Sequence, residues 1–205
     1  MKIIIFGATG GVGQQLIKQA LEKNHEVTAF VRNPEKLTMS HEKLNVVVGD
    51  VFNLADVKKA LVGHDVVVST LGNGEAMKKS NKSYLMTKTI VDGMKAVGLT
   101  KLVYTASQGI DKEIPGLSGK FVMFLLRNPL ADHKEAVNYI RANKLNAVIV
   151  RPSGLTHNEL TGEYREAVDT VPPGPKSLSR ADVAHFILKA IETNQYDGQS
   201  VAIAK

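Results

Sequence analysis

The sequence predicts an α/β fold: one doubly wound, mostly parallel sheet with helices on both faces. Short apolar runs ended by glycine or turn residues alternate along the chain with stretches whose apolar residues recur at helical spacing. The connections between them are short, as right-handed βαβ crossovers require. Size gives a third observation: 205 residues, 43% of them hydrophobic, suffice for one buried core and are few for two. A single domain over 1–205 is expected.

KIIIF at 2–6 runs into glycine-rich sequence and reads as a buried strand. Between Val12 and Lys23, the residues Val12, Leu16, Ile17, Ala20 and Leu21 fall on one helical face. Glu26–Val31 is strand-like; Asn33-Pro34 breaks it and a short helix follows. Leu44–Val48 is a third strand ended by Gly49-Asp50, and Asp56–Leu61 reads as helix. Asp65–Val68 is a fourth strand, running out into Ser69-Thr70-Leu71-Gly72. A helix is predicted over Asn81–Val97, with Leu85, Met86, Ile90, Met94 and Val97 on one side. Lys101–Tyr104 is a fifth strand, 106–118 a loop, and Lys120–Asn143 helical with a break at Asn128-Pro129. Asn146–Val150 is a sixth strand. Residues 151–178, with Pro-Pro-Gly-Pro at 172–175, are expected to form a loop-rich substrate lid, mobile over about Leu155–Tyr164. Ser179-Arg-Ala-Asp182 resembles a capping box and opens a last helix. The turn at Tyr196-Asp197-Gly198 leads to a final strand, Ser200–Ile203.

Composition excludes several functions. The net charge of +6 is spread over both halves of the chain, which suits a binder of anionic small molecules. The nearest approach to a basic stripe is Lys78, Lys79, Lys82 and Lys88, read as a solvated helix start. Aromatics are 5% with no Trp, which weakens any base-stacking role. Without cysteine there is no disulfide, thiolate-bound metal or thiol nucleophile, and the six histidines lack metal-ligand spacing. The longest apolar run, Phe121–Leu126, is too short to span a bilayer, and the N-terminal run is too short for a signal sequence. The expectation is a cytoplasmic protein, monomer or homodimer, acting on a small-molecule acceptor, with no metal, nucleic-acid or membrane partner.

The strongest chemistry lies at Gly7-Ala-Thr9-Gly10-Gly11-Val12-Gly13, which follows a strand and opens a helix. A tight turn, a close approach of backbone to pyrophosphate, and close helix-on-strand packing each need a residue without Cβ. Gly7, Gly10 and Gly13 fill those roles, and the helix N-terminus aims N–H groups at the phosphates. Gly10 is expected to resist a side chain, through phosphate approach or a positive φ. The tip of the second strand reads Phe30-Val31-Arg32-Asn33 and carries no acid for a ribose 2′-hydroxyl. Arg32 instead suits a 2′-phosphate, with Lys36 close by, so NADPH is expected over NADH.

Ligands of an open parallel sheet bind beyond the carboxyl ends of its strands. That shortlists Thr70, Leu71, Gly72 and Asn73 after strand four as a wall for the nicotinamide-side ribose and phosphate. It also shortlists Thr105, Ala106, Ser107 and Gln108 after strand five. Arg151, Pro152, Ser153 and Gly154 follow strand six, the first three counted among the cofactor-binding residues.

The GATGGVG spacing is similar to that of the short-chain dehydrogenase/reductase superfamily, in its extended or atypical branch. That resemblance implies a Rossmann-like fold. It also makes Asp50, with Val51, a candidate for the adenine amino group; a plain strand-ending Asp is the alternative. Ordinary members carry Tyr-x-x-x-Lys after a catalytic Ser. Here Tyr84-x-x-x-Lys88 lies before Ser107, on the wrong helix, and Tyr139 is followed at i+4 by Asn143. Taken with Arg32, Asp132-His133, Leu160–Tyr164, Ser179–Phe186 and Tyr196-Asp-Gly198, the whole chain resembles the biliverdin-IXβ reductase / NADPH flavin reductase family and its bacterial relatives. The resemblance implies hydride transfer from NADPH to flavins (FMN or FAD as substrate), quinones or linear tetrapyrroles. It makes Ser107 and His133 the catalytic candidates, with a structural His at a helix start as the other reading of His133. Gly154 stands where the biliverdin-reducing relative has a His, which argues against biliverdin more than against flavin or quinone. Two alternatives stand beside the reductase: a non-catalytic NADP(H) sensor, favoured by the missing Tyr/Lys pair, and a sugar epimerase or isomerase, which the same loss and Arg32 disfavour.

Overall fold

The computed structural model describes residues 1–72 and 78–205. Its elements are β1 (Lys2–Phe6), α1 (Gly11–Glu22), β2 (Glu26–Val31), β3 (Leu44–Val48), α2 (Leu54–Leu61), β4 (Val66–Ser69), α3 (Lys82–Val97) and β5 (Lys101–Thr105). There follow α4 (Gly116–Leu125), α5 (Arg127–Ala142), β6 (Asn146–Pro152), β7 (Leu155–Thr156), β8 (Arg165–Val168), β9 (Leu178–Ser179), α6 (Arg180–Glu192) and β10 (Ser200–Ala204). Eight strands form one sheet in the order β3-β2-β1-β4-β5-β6-β10-β8, and β7 pairs with β9 apart from it. Every pairing in the large sheet is parallel except β10 with β8. This is the doubly wound Rossmann-like architecture that the alternation predicted.

β1 shows why the sheet is buried on both faces. Ile3 and Ile5 enter the core with α1 and α6, where Leu16, Ile17, Phe186 and Ile187 meet them. Ile4 and Phe6 point the other way, onto Val57 of α2, Ile90 and Met94 of α3, and Val137 of α5. A strand covered on both sides cannot alternate polar with apolar, and so it reads as a continuous run. Each fully buried aliphatic side chain contributes about 1.5–3 kcal/mol to the hydrophobic term. The strand order runs one way from β1 to β3 and the other way from β4 onward, so the crevice lies beyond the carboxyl ends of β1 and β4.

Three expectations change. The helical stretch breaks at Leu126 rather than at Asn128-Pro129, because Pro129 occupies the third position of α5. The first N–H groups of a helix have no intrahelical acceptor, so a proline there removes nothing. Leu85 is exposed, not part of the buried face of α3. The segment 151–178 holds the end of β6, then β7 and β8, and reaches the first residue of β9. β8 was not legible because its sequence, REAV, is that of a half-exposed edge strand, and its partner lies beyond α6. Among the described residues, no helix is long and apolar enough to cross a membrane.

Candidate functional site

The Gly-rich turn is built by steric exclusion. Gly7 has φ +87°, and a Cβ there would come within 2.7 Å of the Thr70 carbonyl carbon. Thr70 closes the contact from β4: its hydroxyl donates to the Gly7 carbonyl at 3.2 Å and its amide to the Phe6 carbonyl at 2.9 Å. Gly10 N–H donates to the Gly7 carbonyl at 3.0 Å and completes the turn. Gly13 is the packing glycine, since a Cβ there would lie 2.3 Å from the Gly7 oxygen. Gly10 itself is extended, with φ −75° and ψ 161°. The positive φ expected at Gly10 therefore belongs to Gly7; at position 10 a Cβ would meet only the Gly7 oxygen, at 3.2 Å, which leaves ligand approach as the main reason for glycine there.

The N-terminus of α1 has no side-chain cap and no acidic residue in its first turn. Its first N–H groups and the positive end of the helix dipole are thus left for an anion. Gly10 and Gly11 are exposed there, whereas Val12 is buried in the core and offers only its backbone. A cavity of about 380 Å³ opens beside this turn, lined by Gly7, Thr9, Arg32, Asp50, Val51, Leu71 and Gly72. The fold thus gathers residues from β1, β2, β3 and the exit of β4, as the strand-end rule predicted. Asn73 lies outside the described residues. The Asp50 carboxylate already accepts the Phe52 amide at 3.0 Å, which orders the loop after β3. Lys36 sits in a short 3₁₀ turn away from the lining.

Sequence reasoning missed several residues of this cavity. Phe6 and Phe30 pack with centroids 4.8 Å apart and ring planes tilted by 44°, and give it an apolar floor. Gly49 makes room for that ring, since a Cβ there would meet Phe30 at 2.6 Å. Lys82 and Met86 of α3 complete the lining, so Lys82 belongs to the site rather than to a merely solvated helix start. Arg180 was also missed. Its side chain covers Gly11, where a Cβ would meet Arg180 Cδ at 2.6 Å. No sequence signal pointed to it, because only the packing of α6 on α1 brings it there.

A second cleft, about 680 Å³, lies beyond β5 and β6. It brings Ser107, Pro152 and Ser153 together with Ile114, Val122 and Pro175. Pro152 and Ser153 thus line the second cleft and not the cofactor cavity. Ser107 Oγ donates to the Gln108 carbonyl at 3.1 Å, and Ser153 Oγ to the Lys176 carbonyl at 2.6 Å.

Arg151 is a correction to the cofactor set. It is 0% exposed, its guanidinium pairs with Glu113, and it donates to the carbonyls of Thr170 and Ser200. A buried guanidinium with these partners ties three segments together and has no path to a cofactor. Glu113 in turn accepts the Gly109 and Asp111 amides, which shapes the loop bearing Ile114 and Pro115.

His133 lines neither cleft. Its Nδ1 lies 2.8 Å from the Tyr104 hydroxyl, on the helix-covered face of β5. Burial holds the imidazole below its ordinary value, only partly offset by Asp132, so it is neutral near pH 7. Burial likewise pushes the Tyr104 phenol up. Asp132 accepts the Ser83 and Tyr84 amides, both at 3.0 Å, and so caps α3 from the neighbouring helix. Among the described residues, no hydrogen bond joins His133 to Ser107.

The expected lid is anchored at several points. Ser179 Oγ accepts the Asp182 amide at 2.9 Å, as the capping-box reading requires. The Asp182 carboxylate goes further, accepting Thr161 N at 2.9 Å, Gly162 N at 2.7 Å and Thr161 Oγ1 at 3.0 Å. Burial would raise that carboxyl, but hydrogen bonds from Ser179, Thr161 and Gly162 outweigh it and hold the group below the usual range. Tyr164 adds a contact to His185 Nδ1 at 2.9 Å, and β7 pairs with β9.

The NAD(P)H-binding family matches residues 7–194. A 3-beta-hydroxysteroid dehydrogenase of Mycolicibacterium neoaurum is 33% identical over 120 residues, 53% of this chain but only 32% of that protein. The chain therefore spans about a third of that relative. A Rossmann-fold NAD(P)-binding family protein from Shigella flexneri superposes with a TM-score of 0.81 at 26% identity, covering 100% of this chain and 93% of that one. A short-chain dehydrogenase/reductase from Veillonella parvula, in complex with NADP, has a TM-score of 0.84 at 21% identity, covering 100% and 94%; that likeness is one of fold. The glycine turn, the open helix N-terminus and the match over nearly the whole length agree: this chain belongs to the NAD(P)H-binding family.

Proposed function

We propose that the protein is an NADPH-dependent reductase that passes hydride to a conjugated acceptor of the flavin or quinone class, seated in the cleft between Ser107 and Pro175. The observation that carries this reading is the chemistry of that cleft: among the described residues, its lining holds no titratable side chain. Reduction of an unactivated ketone calls for a placed proton donor, whereas an isoalloxazine or quinone delocalises the incoming charge itself. Orientation over the nicotinamide then supplies much of the rate.

NADPH supplies the hydride when bound. The uncapped end of α1 and the Gly7–Gly10 turn suit its pyrophosphate, and the Phe6–Phe30 floor suits an aromatic base. Arg32, exposed just past the end of β2 and lining the cavity, favours a 2′-phosphate. In the acceptor cleft the Ser107 hydroxyl, on exchanging its bond to the Gln108 carbonyl, orients the acceptor, and Val122, Leu126 and Pro152 give it an apolar wall. With no acid in the lining, the proton that completes the reduction comes from solvent.

The test is NADPH oxidation followed with FMN, menadione and a linear tetrapyrrole in turn. Turnover with FMN or menadione is expected. Tight NADPH binding with no acceptor reduced would instead favour a redox sensor.

A further inference from the structure

An apolar surface unconnected with cofactor binding lies on α4. Its sequence, GLSGKFVMFL, places Leu117, Phe121 and Phe124 at i, i+4 and i+7. These side chains are 85%, 62% and 61% exposed, and Leu125 beside them is 40% exposed. The other stripe, Gly119, Val122 and Leu126, already lines the acceptor cleft. A helix apolar on both sides is left with one side facing water, which soluble surfaces rarely tolerate as a contiguous patch.

Cations edge one flank of this face, the one on which Phe124 sits. A groove of about 570 Å³ runs between α4 and α5, floored by apolar residues and edged by Lys112, Lys120, Arg127 and Lys134. No acidic side chain lines it among the described residues. Lys134 pairs with Asp111, and Arg127 lies 4.8 Å from the Phe124 ring centroid and donates to the Phe124 carbonyl. Lys112 and Lys120 are exposed and make no ion pair among the described residues.

We propose that this face docks onto an anionic lipid surface, with Leu117, Phe121 and Phe124 entering the headgroup boundary and the cations meeting lipid phosphates. Charge selects the occupant. A second copy of the chain related by two-fold symmetry would set the cation rim against itself, whereas an acidic bilayer surface neutralises it. Exposed aromatic and aliphatic side chains flanked by Lys and Arg are the composition of an interfacial helix. The sequence expectation of no membrane partner rested on the lack of a spanning segment, and lying on a bilayer requires none. The inference does not depend on the reductase reading.

The test is co-sedimentation of the full chain with vesicles of phosphatidylcholine alone and of phosphatidylcholine mixed with phosphatidylglycerol. Binding to the mixed vesicles at low salt is expected, falling as salt rises. Phe121→Ser with Phe124→Ser should weaken it at least ~30-fold, from the apolar area no longer inserted. Lys120→Glu with Arg127→Glu should also weaken it. Both pairs are exposed, so thermal melting of each variant should match the parent and separate lost docking from lost folding. No binding to phosphatidylglycerol vesicles, or equal binding by the Phe variant, overturns the proposal. A concentration-dependent dimer that the Phe variant disrupts also overturns it, in favour of a second copy on this face.

Discussion

Two glycines of one loop should fail in different ways. A Cβ at Gly13 would sit 2.3 Å from the Gly7 oxygen and 2.8 Å from Ala8 Cα, both backbone atoms. Relief requires a shift of about 1 Å between α1 and the turn, which drags on the Gly7 carbonyl that Gly10 and Thr70 share. Overpacking of this kind costs about 1–3 kcal/mol, and a backbone clash belongs at the upper end. Gly13→Ala should therefore lower folding stability by ~3 kcal/mol. At Gly10 the added Cβ would meet only the Gly7 oxygen, at 3.2 Å, and φ is already ordinary. Gly10→Ala should cost under ~1 kcal/mol of stability, mostly as a poorer N-cap. NADPH affinity should nevertheless fall at least ~10-fold, because the methyl stands where a pyrophosphate approaches the helix end. Urea unfolding and NADPH titration of the two variants separate the effects. If Gly13→Ala unfolds with the wild type, the packing argument fails. If Gly10→Ala binds NADPH normally, the phosphate does not approach this turn.

The remaining predictions concern specificity, the anchored segment and pH. Arg32→Asp should reduce NADPH affinity by ~1.5–3 kcal/mol, the worth of a charge-assisted hydrogen bond, and leave NADH affinity intact; equal losses for both would remove Arg32 from the 2′-position. Asp182→Ala strips the acceptor from the Thr161 and Gly162 amides and should destabilise the protein by ~3 kcal/mol. It should also open 157–164 to limited proteolysis, and unchanged cleavage there would show that the carboxylate does not hold this segment. Burial depresses His133, so below its ordinary value of 6.5 the unfolded chain takes up the proton first. Stability therefore declines as pH falls through about 6.5 toward the folded value, and His133→Gln should flatten that decline in urea midpoints between about pH 7 and pH 5. His64, also lowered by burial, supplies the residual slope in the variant. In the same variant, NADPH-dependent acceptor reduction should change less than about 3-fold; a loss beyond ~10²-fold would restore His133 as an acid–base group.

Local pattern determined much of this molecule. β1 is apolar at every residue after Lys2 because both of its faces are covered, and that is visible in five letters of sequence. The phosphate turn was legible because its glycines recur at a fixed spacing between a strand and a helix, although which one takes the positive φ was not. Ser179 and Asp182 announced a helix start because a capping box is confined to four consecutive residues. What only the tertiary structure decided is where long side chains go once distant segments meet. Arg151 sits at a strand end as a cofactor residue would, yet Glu113, Thr170 and Ser200, brought together by the sheet, claim its guanidinium. His133 follows Asp132 in a suggestive pair, yet the docking of α5 beside β5 gives its ring to Tyr104. Lys82, Phe30 and Arg180 reach the cofactor cavity and its rim from three separate elements. Backbone conformation answers to neighbours in sequence, and periodicity records it. Side-chain partners across a sheet are separated by tens of residues, and only packing brings them within hydrogen-bonding distance.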